Sequence, residues 1–331
     1  MSARRNVAVG PGGGGFEHPA FVYRTLEGFA SEIGPFVAEG VERGEPVFVA
    51  VGPDELDVLR DAVGPGPGVA WANTHEWCAV PATRLRAFHV FATDRLGAGS
   101  ARIRAVGEPA WPPGPPELVR EWARYESVLN AVLAPIPMTL VCTYDASRLD
   151  PEIVEGAGRT HPVLGLDDGA RPSPEYEDPT TLLERWNPPL EPPPANAALL
   201  QGPNDPAAAR AFVVARAARA GLSAERTSDL ALATSEILTN ALVHGGGDVT
   251  LRTWVEPGAF LCQIEDEGPG LWDVLAGYRP PVPARDRGRG LWLARQVVDL
   301  LQIDPASPGA VVRMRLGLEP GPGSPATTLR T

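Results

Sequence analysis

Three short blocks in the last third of this 331-residue chain constrain it more than any other part of its sequence. In order they are Glu236-Ile-Leu-Thr-Asn240 with Ala241-Leu-Val-His244-Gly245, then Glu265-Asp266-Glu-Gly268-Pro-Gly270, then Arg287-Gly288-Arg289-Gly290-Leu291. The first puts Glu236, Asn240 and His244 at i, i+4 and i+8 on one helix stripe. Ile237, Leu238, Ala241 and Leu242 make much of the remaining circumference apolar, as in a well-buried helix with its stripe facing a cleft. An amide oxygen and a carboxylate there suit magnesium, which prefers hard oxygen ligands. In the second block Asp266 ends a strand just before glycines, where a carboxylate can accept a hydrogen bond from an exocyclic amine such as that of adenine. In the third, Gly288 and Gly290 lead into an apolar helix, whose free N–H groups and dipole can hold phosphate. Each block alone has an ordinary explanation: a solvated helix face, a tight turn after an edge strand, a glycine at a helix entry. Glu126 and Asn130 even repeat the i, i+4 pair with no glycine boxes behind them. Order and spacing together point to a nucleotide-binding cavity.

Composition removes several alternatives. All 29 basic residues are arginine, which excludes both a P-loop lysine and a Schiff-base lysine. A net charge of -12 argues against direct nucleic-acid binding and against an anionic membrane as partner. Cys78, Cys142 and Cys262 lie far apart and lack metal-ligand spacing, so they read as small buried residues of a reducing compartment. His75-Glu-Trp-Cys78 offers too few ligands for a metal site. No apolar run at the N-terminus qualifies as a signal peptide or a membrane span, so the expectation is a soluble, cytoplasmic protein.

The first half alternates helical and strand patterns. Leu26, Phe29, Ile33, Phe36, Val37 and Val41 recur at helical spacing, with Gly34-Pro35 as a kink or break. Strands are expected at 47–51, 102–106 and 138–143, and helices at 55–62 and 117–133, which argues for a parallel α/β sheet. From about 170 to 195 the pattern gives way to proline-rich sequence that resists helix and sheet and behaves as a semi-rigid spacer. Beyond it come helices at 205–220 and 223–244, alternating strands at 249–255 and 259–265 around Pro257-Gly258, a helix at 290–301 and a closing strand at 311–316. Helices before and among antiparallel strands suggest a two-layer α+β sandwich.

The C-terminal blocks resemble the N, G1 and G2 boxes of the GHKL (HATPase_c) ATPases, and most closely those of the RsbW-like serine kinases that act as anti-sigma factors. That resemblance implies a Bergerat-type fold binding ATP and Mg2+. In it Asn240 would coordinate magnesium and Asp266 would read adenine, while His244 lies at the end of the N box. Glu236 would be the catalytic base toward a serine of an anti-anti-sigma (STAS) partner. Gly268, Gly270, Gly288 and Gly290, with Arg289 and Leu291, would shape a lid over the triphosphate, and arginines and prolines occupy 271–287 where a lysine is usual. In the first half, Phe16-Glu-His18-Pro19 with Tyr23, Val106-Gly-Glu108-Pro-Ala-Trp111, Tyr125-Glu126 to Asn130, Cys142-Thr-Tyr144-Asp145 and Thr160-His161-Pro162 resemble the MEDS (DcmR-like) sensory domain. Its fold is RecA-like, and it implies an unknown small ligand. His18, Glu108 and His161 read first as polar residues fixing loops at strand ends.

The expected organisation is a MEDS-like domain at 1–170, a linker at 171–198, a GHKL domain at 199–320 and a disordered tail at 321–331. The resemblance implies a sigma factor and a STAS protein as partners and leaves a homodimer open. A sensor histidine kinase-related protein is an alternative, although 194–223 holds no phosphoacceptor histidine. A non-catalytic ATP-binding adaptor is another.

Overall fold

A computed structural model describes residues 15–64, 68–77, 80–111, 115–281 and 289–318. Cys78, Arg285, Arg287, Gly288 and the tail at 321–331 lie outside the described residues. The chain divides into two compact units, the first reaching Leu182 and the second starting at Leu183. No helix among the described residues is long and apolar enough to cross a membrane.

The first unit opens with β1 (Pro19–Tyr23), α1 (Leu26–Glu42), β2 (Val47–Val51), α2 (Pro53–Val63), β3 (Val69–Asn73), α3 (Thr74–Trp77) and α4 (Pro81–Gly97). It continues with β4 (Ile103–Gly107), α5 (Pro116–Val132), β5 (Met138–Asp145), α6 (Pro151–Thr160), β6 (Val163–Leu164), β7 (Arg171–Pro172) and α7 (Pro179–Arg185), in which the division between units falls. The sheet order is β3-β2-β4-β5-β1-β6-β7, parallel except for the β6–β7 pair. Every residue of β2 and β4 is buried, as expected for strands covered on both faces. Val47, Val49 and Val51 pack with Phe29, Ile33 and Val37 of α1 and Leu56 and Leu59 of α2. Phe48, pointing the other way, stacks on Phe91 and meets the tilted ring of Phe88, both of α4.

Two local expectations are corrected here. Pro35 neither ends nor divides α1, which runs unbroken from Leu26 to Glu42 behind a Thr25 N-cap, with Phe29, Ile33 and Val37 seated in the core. Burial of that apolar face outweighs the one lost backbone donor. The proline-rich stretch does form a helix, α7: Asp178 Oδ1 caps it by accepting from Thr180 N at 3.0 Å and Thr181 N at 3.1 Å. Pro179 occupies the first turn, where no donor is missed.

The second unit comprises β8 (Ala198–Gln201), α8 (Pro206–Arg219), α9 (Ala224–His244), β9 (Thr250–Glu256), β10 (Ala259–Glu265), α10 (Arg289–Val297), β11 (Leu300–Ile303) and β12 (Val311–Gly317). Its sheet is antiparallel in the order β11-β12-β10-β9-β8. The three helices cover one face, where Val213, Leu230, Ile237, Leu238 and Ala294 meet Leu251, Phe260, Cys262, Ile264 and Met314. Each fully buried leucine or isoleucine contributes about 1.5–3 kcal/mol. Side chains of opposite parity, Trp254 and Leu261, pack on the other face with Ala197. There Arg313 donates to Gln263 Oε1 at 2.7 Å and to the Glu191 carbonyl at 2.5 Å, while Asn187 donates to the Ile303 carbonyl at 3.1 Å. The prolines at 188–194 therefore run along this sheet.

The expected helix at 290–301 is also corrected: it stops at Val297, and Leu300–Ile303 is a strand paired with β12. Arg226 of α9 donates to the Val297 carbonyl at 2.8 Å and pairs with Asp299, which closes the helix end.

Candidate nucleotide site

Ser223 caps α9 by accepting from Arg226 N at 3.2 Å. From there Thr227, Leu230, Thr234, Ile237, Leu238 and Ala241 bury one face at helical spacing. That burial fixes the rotation of the helix and hence of the polar stripe. Glu236 and Asn240 are half-buried, whereas His244 is exposed at the helix end. At 3.6 residues per turn, i+8 lies about 80° round from i, so the third member of the stripe leaves the cleft the first two share.

The N and G2 blocks meet at Gly290. A Cβ on this residue would stand 2.9 Å from Asn240 Nδ2 and 3.0 Å from Glu236 Oε2. Only a glycine lets the first turn of α10 approach the stripe this closely. Arg289 is exposed at the helix start, and Leu291 packs against the hydrophobic core. Gly288 falls outside the described residues.

The G1 block is tied to the end of α9. Asp266 N donates to the Ala310 carbonyl at 3.0 Å, and its Oδ1 accepts from Gly268 N at 2.8 Å and Ala310 N at 3.3 Å. Its Oδ2 carries no hydrogen bond among the described residues. Glu267 N donates to the Gly246 carbonyl at 2.9 Å. A Cβ on Gly268 would lie 2.7 Å from Gly245 Cα, so two backbones touch there. Gly270 takes a φ of +82° beneath the Trp272 ring. The chain beyond is anchored by Arg295, which donates to the Ala276 carbonyl at 3.0 Å and the Leu301 carbonyl at 2.9 Å and lies 3.9 Å from the Tyr278 ring centre.

The donor set suits a nucleotide with its cation. Asn240 brings a hard amide oxygen beside a carboxylate, Asp266 keeps one oxygen available to an amine, and the N-terminus of α10 stands against the first two. The sequence reading missed Ala310 and Arg295, which help hold these blocks together, and nothing local in the sequence marks either.

In the first unit, Glu108 accepts from Gly52 N at 2.6 Å and so fixes the loop after β2, while its carbonyl accepts from Thr74 at 2.9 Å. Burial, reinforced by Glu55, pushes the Glu108 carboxyl up to about 7. Glu126 and Asn130 face the interior of this unit: Glu126 is buried, and Asn130 lies 3.1 Å from His18 Nδ1.

Comparison with known proteins agrees with this division. Residues 17–162 match the family model of MEDS, the methanogen/methylotroph, DcmR sensory domain. Residues 202–316 match that of the histidine kinase-like ATPase domain. The chain is 29% identical over 115 residues to the anti-sigma F factor of Caldanaerobacter subterraneus and 28% to that of Thermoanaerobacter pseudethanolicus, in each case 32% of this chain and 80% of the relative. With the anti-sigma F factor of Clostridium acetobutylicum it shares 27% over 104 residues, 29% of this chain and 73% of the relative. The solved RsbU and RsbW domains of Rv1364c from Mycobacterium tuberculosis align at 18% identity and a TM-score of 0.28, covering 36% of this chain and 32% of that one. The chain thus carries a match to the MEDS sensory domain in its N-terminal part and to the histidine kinase-like ATPase domain in its C-terminal part.

Proposed function

We propose that this protein is a cytoplasmic anti-sigma regulator whose ATP-binding, serine-kinase-like domain is governed by an N-terminal ligand-sensing domain. The finer fold types that go with this reading are a RecA-like first domain and a Bergerat-type second domain. One observation carries it: α10 approaches α9 through Gly290, so that the N and G2 blocks form a single wall containing Glu236 and Asn240. Likeness to anti-sigma F factors supports a sigma factor and an anti-anti-sigma protein as partners.

In this reading Asn240 Oδ1 holds Mg2+, Asp266 Oδ2 accepts from the adenine amine, and the first-turn amides of α10 receive phosphate. Gly268, Gly270, Gly288 and Gly290 give the surrounding loops room to close, with Arg289 and Leu291 at the helix entry and His244 at the rim. Bound ATP would supply the phosphoryl group. Glu236, half-buried beside Asn240, takes the proton of the partner's serine hydroxyl at its carboxylate. Asn240→Ala should weaken Mg-ATP binding by at least about 100-fold with the circular dichroism unchanged. Unaltered affinity by calorimetry contradicts the metal assignment. Glu236→Gln should retain ATP and lower partner-serine phosphorylation by about 10²–10⁴-fold. If the parent protein binds ATP yet phosphorylates no co-purifying partner, the adaptor reading replaces the kinase.

A further inference from the structure

The interior of the first unit contains four side chains whose ligand-forming atoms converge from four separate places in the chain. His18 immediately precedes β1, Glu126 lies on α5, Cys142 on β5, and His161 caps the end of α6. All four are buried, and their ligand atoms lie within 4.8 Å of one another. His18 Nε2 is 3.2 Å from Cys142 Sγ and 3.6 Å from Glu126 Oε2, and His161 Nε2 is 3.2 Å from the same oxygen. With metal–nitrogen and metal–oxygen bonds of about 2.0–2.1 Å and a metal–sulfur bond of about 2.3 Å, the edges of a tetrahedral site measure about 3.3–3.6 Å. These three separations lie close to those edges.

The orientation of both imidazoles is imposed from behind. His161 Nδ1 lies 3.0 Å from the Ala157 carbonyl, an oxygen that only accepts, and 2.9 Å from Thr160 Oγ1, whose own hydroxyl donates to that carbonyl at 3.3 Å, so Nδ1 carries the proton and Nε2 presents a lone pair inward. His18 Nδ1 lies 3.1 Å from Asn130 Oδ1, and the Asn130 amide nitrogen is committed as donor to the Thr160 carbonyl at 2.6 Å. His18 Nε2 therefore also points inward as a lone pair. This is the arrangement in which metal-bound histidines are held, with the outer nitrogen donating to an oxygen that fixes tautomer and ring.

The carboxylate that faces those lone pairs lacks a partner. Both Glu126 carboxylate oxygens and His161 Nε2 are buried without any hydrogen bond of proper geometry. A carboxylate turned toward two imidazole lone pairs in a dry interior is costly unless a cation sits among them.

We propose that His18, Glu126, Cys142 and His161 form a closed binding site for one divalent transition metal, best matched by Zn2+. Two imidazoles, a thiol and a carboxylate make a tetrahedral nitrogen, sulfur and oxygen set of zinc type. Four protein ligands leave no open position, so the site is structural, pinning the start of β1 and the end of α6 to α5 and β5. Metal entry displaces the Cys142 thiol proton to solvent as the metal–sulfur bond forms. This inference is independent of the nucleotide site in the second unit.

The test is metal analysis of the full-length protein, followed by cobalt exchange. The expected result is one zinc per chain surviving gel filtration, and a Co(II) derivative with a thiolate-to-metal charge-transfer band and the intense visible bands of tetrahedral cobalt. Cys142→Ser should remove the charge-transfer band, whereas Cys262→Ser, altering a buried thiol of the other unit, should keep it. Asn130→Ala should lower metal affinity by about 10–100-fold while keeping the band, the mark of a positioning residue behind a ligand. Because the parent protein's cobalt spectrum needs no variant, a misfolding mutant cannot obscure the outcome. Protein that holds no zinc after reconstitution with zinc alone overturns the proposal, and so does a charge-transfer band that persists in Cys142→Ser.

Discussion

Glu108 shows how one buried carboxyl couples a loop to pH. It directly follows β4, accepts from Gly52 N, and is pushed up to about 7 by burial and by Glu55, with Asp145 adding and the Gly52 amide and Arg84 opposing. Glu55 is itself buried and accepts from the Tyr23 hydroxyl at 2.9 Å. The unfolded chain releases the Glu108 proton near the ordinary value of 4.5, while the folded chain keeps it until about 7. Between those values the native state binds more protons than the unfolded state, so stability falls as pH rises through this window and levels off above it. The full shift corresponds to roughly 3 kcal/mol. Glu108→Gln, which keeps an oxygen for Gly52, should flatten this part of the stability profile in urea titrations from pH 5 to 7. An unchanged slope would assign the dependence to another group. The MEDS resemblance drew attention to Glu108, read there as a polar residue fixing a loop at a strand end, and its contact with Gly52 N is of that kind; its neighbours Glu55 and Asp145 could not be paired with it before the strands were ordered.

Among the elements, the approach of α10 to α9 is the one on which the nucleotide site depends. Gly290→Ala would put a methyl group within 3.0 Å of Asn240 Nδ2 and at 3.0 Å from Glu236 Oε2. Overpacking of this kind costs about 1–3 kcal/mol or displaces the neighbours. Here the neighbours are side chains at a half-buried surface, so displacement is the cheaper response. We expect Gly290→Ala to fold, with stability lowered by no more than about 2 kcal/mol and Mg-ATP affinity reduced by at least about tenfold. Affinity equal to the parent's by calorimetry would show that the stripe and the helix entry act separately. The start of α10 was legible as glycines before an apolar run. Its end was not, because Val297 to Ile303 is apolar in a way that suits helix and strand equally, and only the edge of β12 and the Arg226 guanidinium decide between them.

At the scale of the whole molecule, each unit encloses its own core, so a ligand of one acts first on that unit's stability. At 100 times its dissociation constant Mg-ATP should stabilise the second unit by about 2.7 kcal/mol. Hydrogen exchange read by mass spectrometry should show added protection in α9, β10 and α10, and none there would contradict the site. The sequence alone determined the two-domain plan, the buried strands β2, β4 and β5, the β9–β10 hairpin and the three C-terminal blocks. All of these rest on periodicity, turn residues and motif spacing, which are local and survive in one dimension. Tertiary structure alone decided the pairing of β11 with β12, the course of residues 187–197 along the second sheet, and the meeting of His18, Glu126, Cys142 and His161. Those contacts join residues that are not neighbours in sequence, and no local pattern encodes a contact whose geometry exists only after both partners have been packed.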